Sequence, residues 1–93
     1  MTRGERAAQR AARLVGTRFR PQGRDPALGL DCLGLIVAAH AIPKGEVPAD
    51  YRLRGDHLDD LLDGAARRFR RVAPAAARTG DVLVMAAGVR QLH

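Results

Sequence analysis

Tryptophan is absent from this chain, and the other aromatics come to two Phe and one Tyr. A core without large rings must be built from Ala, Leu and Val, which bury little area each, so modest stability is expected. Cysteine occurs once. One thiol excludes an internal disulfide and a paired-cysteine zinc site, and it leaves Cys32 as a small hydrophobe or a reactive thiol. No run approaches about eighteen apolar residues, which excludes a membrane-spanning helix. The start, MTRGERAAQRAARLVG, is basic but lacks the continuous apolar stretch of a secretory signal, so synthesis in the cytoplasm is expected. Internal repeats are missing as well, and solenoids are out.

What is present fits one small domain spanning 1–93. A chain of 93 residues buries roughly 60% of its unfolded surface on folding. With 46% hydrophobic and 28% charged residues it belongs among globular rather than disordered sequences. Lys and Arg number 16 against 10 Asp and Glu, a net charge of +6, and Lys44 is the one cation that is not Arg. Such a balance has two readings. It is either an electrostatic footprint for nucleic acid or another polyanion, or a compositional habit of using Arg as the surface cation. The arginines are spread along the chain without interleaved aromatics for base stacking, which favours the second. A basic nucleic-acid-binding module is kept as an alternative.

Periodicity divides the chain into elements. Residues 5–15 carry an apolar stripe of Ala8, Ala11, Ala12 and Val15, with Arg6, Arg10 and Arg13 on another face, which predicts a helix that Gly16 ends. Two Pro and two Gly make 17–31 a loop. The apolar run 32–41 then reads as a buried helix, with Asp31 as its N-cap and Cys32 as its first residue. After a second loop around Pro43, Gly45 and Pro48, residues 56–68 form an amphipathic helix. Asp56 caps it, Asp59 and Asp60 lie in its first turn, and Arg67 and Arg68 lie in its last, so both ends suit the helix dipole. Gly80-Asp81 is a turn signal, 82–85 a short strand, Gly88 a second turn and 89–93 the opening of another strand. Helices first and strands last define an α+β domain.

The cysteine is the residue with chemistry in it. The first N–H groups of a helix are unpaired and carry partial positive charge, so the position predicts a depressed thiol pKa. A nucleophilic cysteine also needs a base, most often His. Three are available. His40 lies on the same helix, about 12 Å of rise away, His57 on the amphipathic helix, and His93 on the last predicted strand.

The segments Gly16-Thr17-Arg18-Phe19, Gly23-Arg24-Asp25-Pro26 and Gly29-Leu30-Asp31-Cys32-Leu33-Gly34-Leu35 resemble the nucleophile region of the NlpC-type cysteine peptidases, small papain-like cell-wall hydrolases. Thr79-Gly80-Asp81-Val82-Leu83-Val84 and Gln91-Leu92-His93 follow in the family's order. The wording is closest to the phage-associated branch. The resemblance covers residues 8–93 and implies a papain-like α+β fold, with the cysteine at a helix start packed on a C-terminal antiparallel sheet. It implies that Cys32 attacks an amide of a peptidoglycan stem peptide, that His93 is the general base, and that the Cys32 backbone N–H helps hold the oxyanion. Asp31 is then a cap and loop anchor, and Gly34 lets the helix pack closely on the sheet. Phe19 stands where many members have Tyr, and Leu33 where Ser is usual. The family continues beyond this His into further strands and a third polar residue, so a chain cut short of its last strands is expected. No cofactor, metal or membrane partner is implied. Phage-like tail proteins are the expected macromolecular partners, and an inactive structural part of such a tail is the alternative to an enzyme.

Overall fold

A computed structural model describes residues 1–43, 46–47 and 67–84. The chain divides into two compact units, one of Met1–Tyr51 with Thr79–Val82, the other of Arg52–Arg78 with Leu83–His93.

The first unit opens with helix α1, Arg3–Arg13. It begins two residues earlier than apolar periodicity predicts because Thr2 and Glu5 make a capping box. The Thr2 hydroxyl accepts from the Glu5 N–H at 3.0 Å, and Glu5 Oε1 accepts from the Thr2 N–H at 3.3 Å. Two of the helix's orphan donors are satisfied reciprocally, which holds the start in place. The buried face also differs from the expected stripe. Ala7 is the buried residue, with Gly4, Ala8, Ala11 and Leu14 half-buried, whereas Ala12 is exposed and Val15 is 85% exposed. The close approach at the N-terminal turn sets this rotation. Gly4 lies against the backbone of Thr79 and Gly80, and Gly80 adopts φ +90, so neither glycine has room for a Cβ. Gly80 thus supplies the turn expected of it.

Residues 17–31 are more ordered than a loop. Strands β1, Arg24–Asp25, and β2, Gly29–Leu30, pair antiparallel, with Arg24 opposite Leu30 and Asp25 opposite Gly29. Asp25 and Pro26 close the hairpin. The Asp25 carbonyl accepts from the Leu28 N–H at 2.9 Å and its carboxylate from the Ala27 N–H at 3.0 Å, with Pro26 fixing φ between them. On its other side Leu30 makes a parallel bridge with Phe19, donating to the Arg18 carbonyl and accepting from the Arg20 N–H, both at 3.0 Å. Leu30 is therefore tied from both sides and is buried.

Helix α2, Cys32–Ala39, follows with the predicted cap, Asp31. It stops before residue 41 because Ala41 turns left-handed at φ +51. The Ile42 N–H reaches the Val37 carbonyl at 3.0 Å and the Ala41 N–H the Ala38 carbonyl at 3.4 Å, the bond pattern of a Schellman end. Arg10 of α1 donates to the Ala39 carbonyl at 2.9 Å. A cation thus meets the negative end of the α2 dipole, where the sequence pattern put Arg10 on a face away from the apolar stripe. Ala7 and Ala39 are both buried, so small residues from both helices supply the core. The helix is less enclosed than its apolar run suggests. Gly34 and Ala39 are buried, Leu35 is exposed, and the others are intermediate.

In the second unit, Arg67 and Arg68 form a turn, and a 3-10 turn covers Pro74–Ala76, where proline fits the first helical position. Residues 82–84 do not form the expected strand; Leu83 and Val84 are exposed, and no strand among the described residues pairs with them. The remainder of the expected 56–68 helix and the 89–93 strand lie outside the described residues. Helices with a small antiparallel sheet make an α+β arrangement, but the described sheet precedes α2 in the chain. Among the described residues no helix is long and apolar enough to cross a membrane.

Candidate active site at the start of helix 2

Asp31 organises this end of the unit. Its side chain is fully buried, and its two oxygens draw together groups from three chain positions, Gln22, Arg24 and Gly34. Oδ1 accepts from the Gly34 N–H at 2.8 Å, the capping bond, and from Arg24 Nη1 at 3.2 Å, while Oδ2 accepts from the Gln22 N–H at 2.8 Å. Buried carboxylates persist where they are paired and hydrogen-bonded in this manner. Gln22 is delivered by a turn in which the Gly23 N–H donates to the Arg20 carbonyl at 2.9 Å. Pro21 presets the first central residue and Gln22 takes φ +58, a left-handed conformation rare for a side chain of this size. Asp31 is thus both cap and loop anchor.

Gly34 sits against the Gly23 carbonyl, and a Cβ there would strike that oxygen and crowd Leu30 Cδ2 at 3.3 Å. The closely packed partner is the hairpin that precedes α2. Phe19 is 62% exposed, on the segment bridged to Leu30, one residue before Asp31.

Cys32 is half-buried, and its pKa is raised, opposite to the depression expected from the helix start. Burial is the largest cause, and the Asp31 carboxylate next to it adds like-charge repulsion. The backbone N–H groups of Leu33 and Cys32 and the Arg24 guanidinium act in the favourable direction, but they do not overcome the first two. Helix-start donors are present as predicted. The same carboxylate that caps the helix offsets them. The two backbone groups that favour the thiolate are also where donors to an oxyanion would have to lie.

The three histidines part company. His57 and His93 lie outside the described residues, so the proposed Cys32–His93 pairing has no described geometry. His40 is the C-cap of α2, at the opposite end of the helix from Cys32. Its pKa is lowered, by burial first and then by Arg10 and Arg3, with Asp81 opposing. A depressed folded-state value means the unfolded chain takes up the proton first. Stability is therefore whole above about pH 6.5 and falls as acid is added through that range. Thermal melts of the wild type between about pH 7 and 5 should show this loss, and His40→Gln should flatten it. Equal slopes in the two proteins would remove His40 as the cause.

Among the described residues no group of His, Cys, Asp and Glu is arranged to hold a metal ion. No family model, curated protein or solved structure matches this chain.

Proposed function

We propose that the chain is a cysteine endopeptidase of peptidoglycan stem peptides, of the phage-associated NlpC type, with a papain-like fold, Cys32 as nucleophile and His93 as general base. The observation that carries the reading is the placement of Cys32 as the first residue of α2, half-exposed, behind a fully buried capping aspartate. A helix start offers backbone N–H groups to both a thiolate and a tetrahedral oxyanion, and this is the local geometry that acyl transfer by cysteine uses. The Asp-Cys pair, the glycine two residues on, and the Gly-Arg-Asp-Pro hairpin before it are the residues on which the family resemblance rests. Analogy with that family, rather than any spacing, supplies the amide between D-glutamate and a diamino acid as the target. Delivery inside a phage-like particle fits the same branch.

Purified muropeptides, incubated with the protein as the 93-residue chain and with any coding sequence that follows His93, give the test by mass spectrometry. Cleavage at a stem-peptide amide is expected, with loss of at least about a thousandfold in Cys32→Ala. Cleavage unchanged in that variant, or none in either form, sinks the enzyme.

The raised Cys32 pKa favours a second reading, a part of a phage-like tail that keeps the fold without the reaction. A thiol protonated at neutral pH is a poor nucleophile unless a base reaches it.

A further inference from the structure

We propose that Arg24 is a positioning residue for the Cys32 thiol, its guanidinium held at the start of α2 to compensate the Asp31 carboxylate. The proposal deepens the peptidase reading and rests on it for the use of the thiol, though not for the electrostatics.

A carboxylate immediately before a nucleophilic cysteine is an awkward neighbour, since two like charges resist sharing one site. Asp31 cannot be dispensed with, because it holds the Gly34 and Gln22 N–H groups. Its side chain is fully buried, so water does not screen its charge. The compensation must come from the protein. Arg24 supplies it through Nη1, which donates to Asp31 Oδ1 at 3.2 Å and to the Gly23 carbonyl at 3.0 Å. Only 21% of the Arg24 side chain is exposed. The backbone fixes the approach. Arg24 is opposite Leu30 in the β1–β2 ladder, and Leu30 immediately precedes Asp31. The turn at Gln22 and the pairing at Leu30 therefore deliver the cation to the capping carboxylate from two sides. Among the described residues the charged groups acting on the thiol are Asp31, which disfavours the thiolate, and Arg24, which favours it.

The test is the pH dependence of Cys32 alkylation by iodoacetamide in the intact chain, which needs no muropeptide and so can succeed where the peptidase assay fails. Five proteins are compared: wild type, Arg24→Gln, Arg24→Lys, Asp31→Asn and the double variant of Arg24→Gln with Asp31→Asn. Removing only the cation should raise the midpoint by about one pH unit, a roughly tenfold slower reaction near neutral pH. Asp31→Asn should lower it, and the double variant should lie near wild type, since both pairs are neutral overall. Unfolding of Arg24→Gln would move its midpoint down to the ordinary thiol range, so loss of fold cannot imitate the expected rise. In that event the comparison of Asp31→Asn with the double variant decides alone, and Arg24→Lys should stay close to wild type. Equal midpoints in Asp31→Asn and the double variant overturn the proposal.

Discussion

Asp31→Ala is expected to destabilise the protein by about 3 kcal/mol or more. Three chain positions lose this acceptor at once. The Gly34 N–H loses its cap, which alone typically costs about 1 kcal/mol. The Gln22 N–H, made available by a strained left-handed residue, loses the bond that offsets that strain. Arg24, mostly buried, loses its ion pair with Asp31; breaking a buried pair from one side costs about 3–5 kcal/mol. Because Arg24 is 21% exposed and can turn toward water, the lower part of that range applies. The contributions share atoms and do not add. Asp31→Asn should cost less, since its oxygen keeps the cap while its amide nitrogen faces the Gln22 N–H. Urea denaturation followed by circular dichroism measures both. A loss below about 0.5 kcal/mol in Asp31→Ala would show that the junction is held by something other than this carboxylate.

The cap of α2 was legible in the sequence because it is local. Aspartate before an apolar run is a backbone-level signal, and α2 starts at Cys32 as that signal requires. The start of α1 was equally available. Thr2 and Glu5 are spaced as a capping box, but apolar periodicity pointed to a later start and to a stripe rotated from the buried face, sharing Ala8 and Ala11 with it while Ala12 and Val15 are exposed. The hairpin at Arg24–Leu30 went unread because two-residue strands have no period to detect, although Asp25-Pro26 marked its turn. Least visible were the relations between distant positions. Arg10 on the Ala39 carbonyl, and Arg24 on Asp31, are choices of tertiary packing among fifteen similar arginines. The thiol's ionisation failed for the same reason. The helix-start effect follows from one position, whereas burial and a neighbouring carboxylate follow from the fold. Of the expected strand at 82–85, residues 82–84 are not in a strand; an apolar run becomes a strand only where another strand pairs with it, and none among the described residues does.

Gly34→Ala sets two opposed effects against each other, and packing should win. In an exposed helix interior the change stabilises by about 1 kcal/mol, through reduced freedom of the unfolded chain. Here the added Cβ meets the carbonyl oxygen of Gly23, a backbone atom pinned by the turn at Gln22, with Leu30 Cδ2 close behind at 3.3 Å. A flexible side chain could swing aside; this carbonyl cannot do so without moving the hairpin. Overpacking of this kind costs about 1–3 kcal/mol, and the fixed obstacle argues for the upper half, leaving a net loss of about 1–2 kcal/mol. The displacement should also reach the thiol, because Gly23 is the second group that Arg24 grips. Leu35→Ala, at a position already 39% exposed on the same helix, should cost less and leave Cys32 alkylation unchanged. Thermal melts with alkylation midpoints on both variants separate the two outcomes. A higher melting temperature for Gly34→Ala would mean that helix propensity prevails and that the helix does not approach the hairpin this closely.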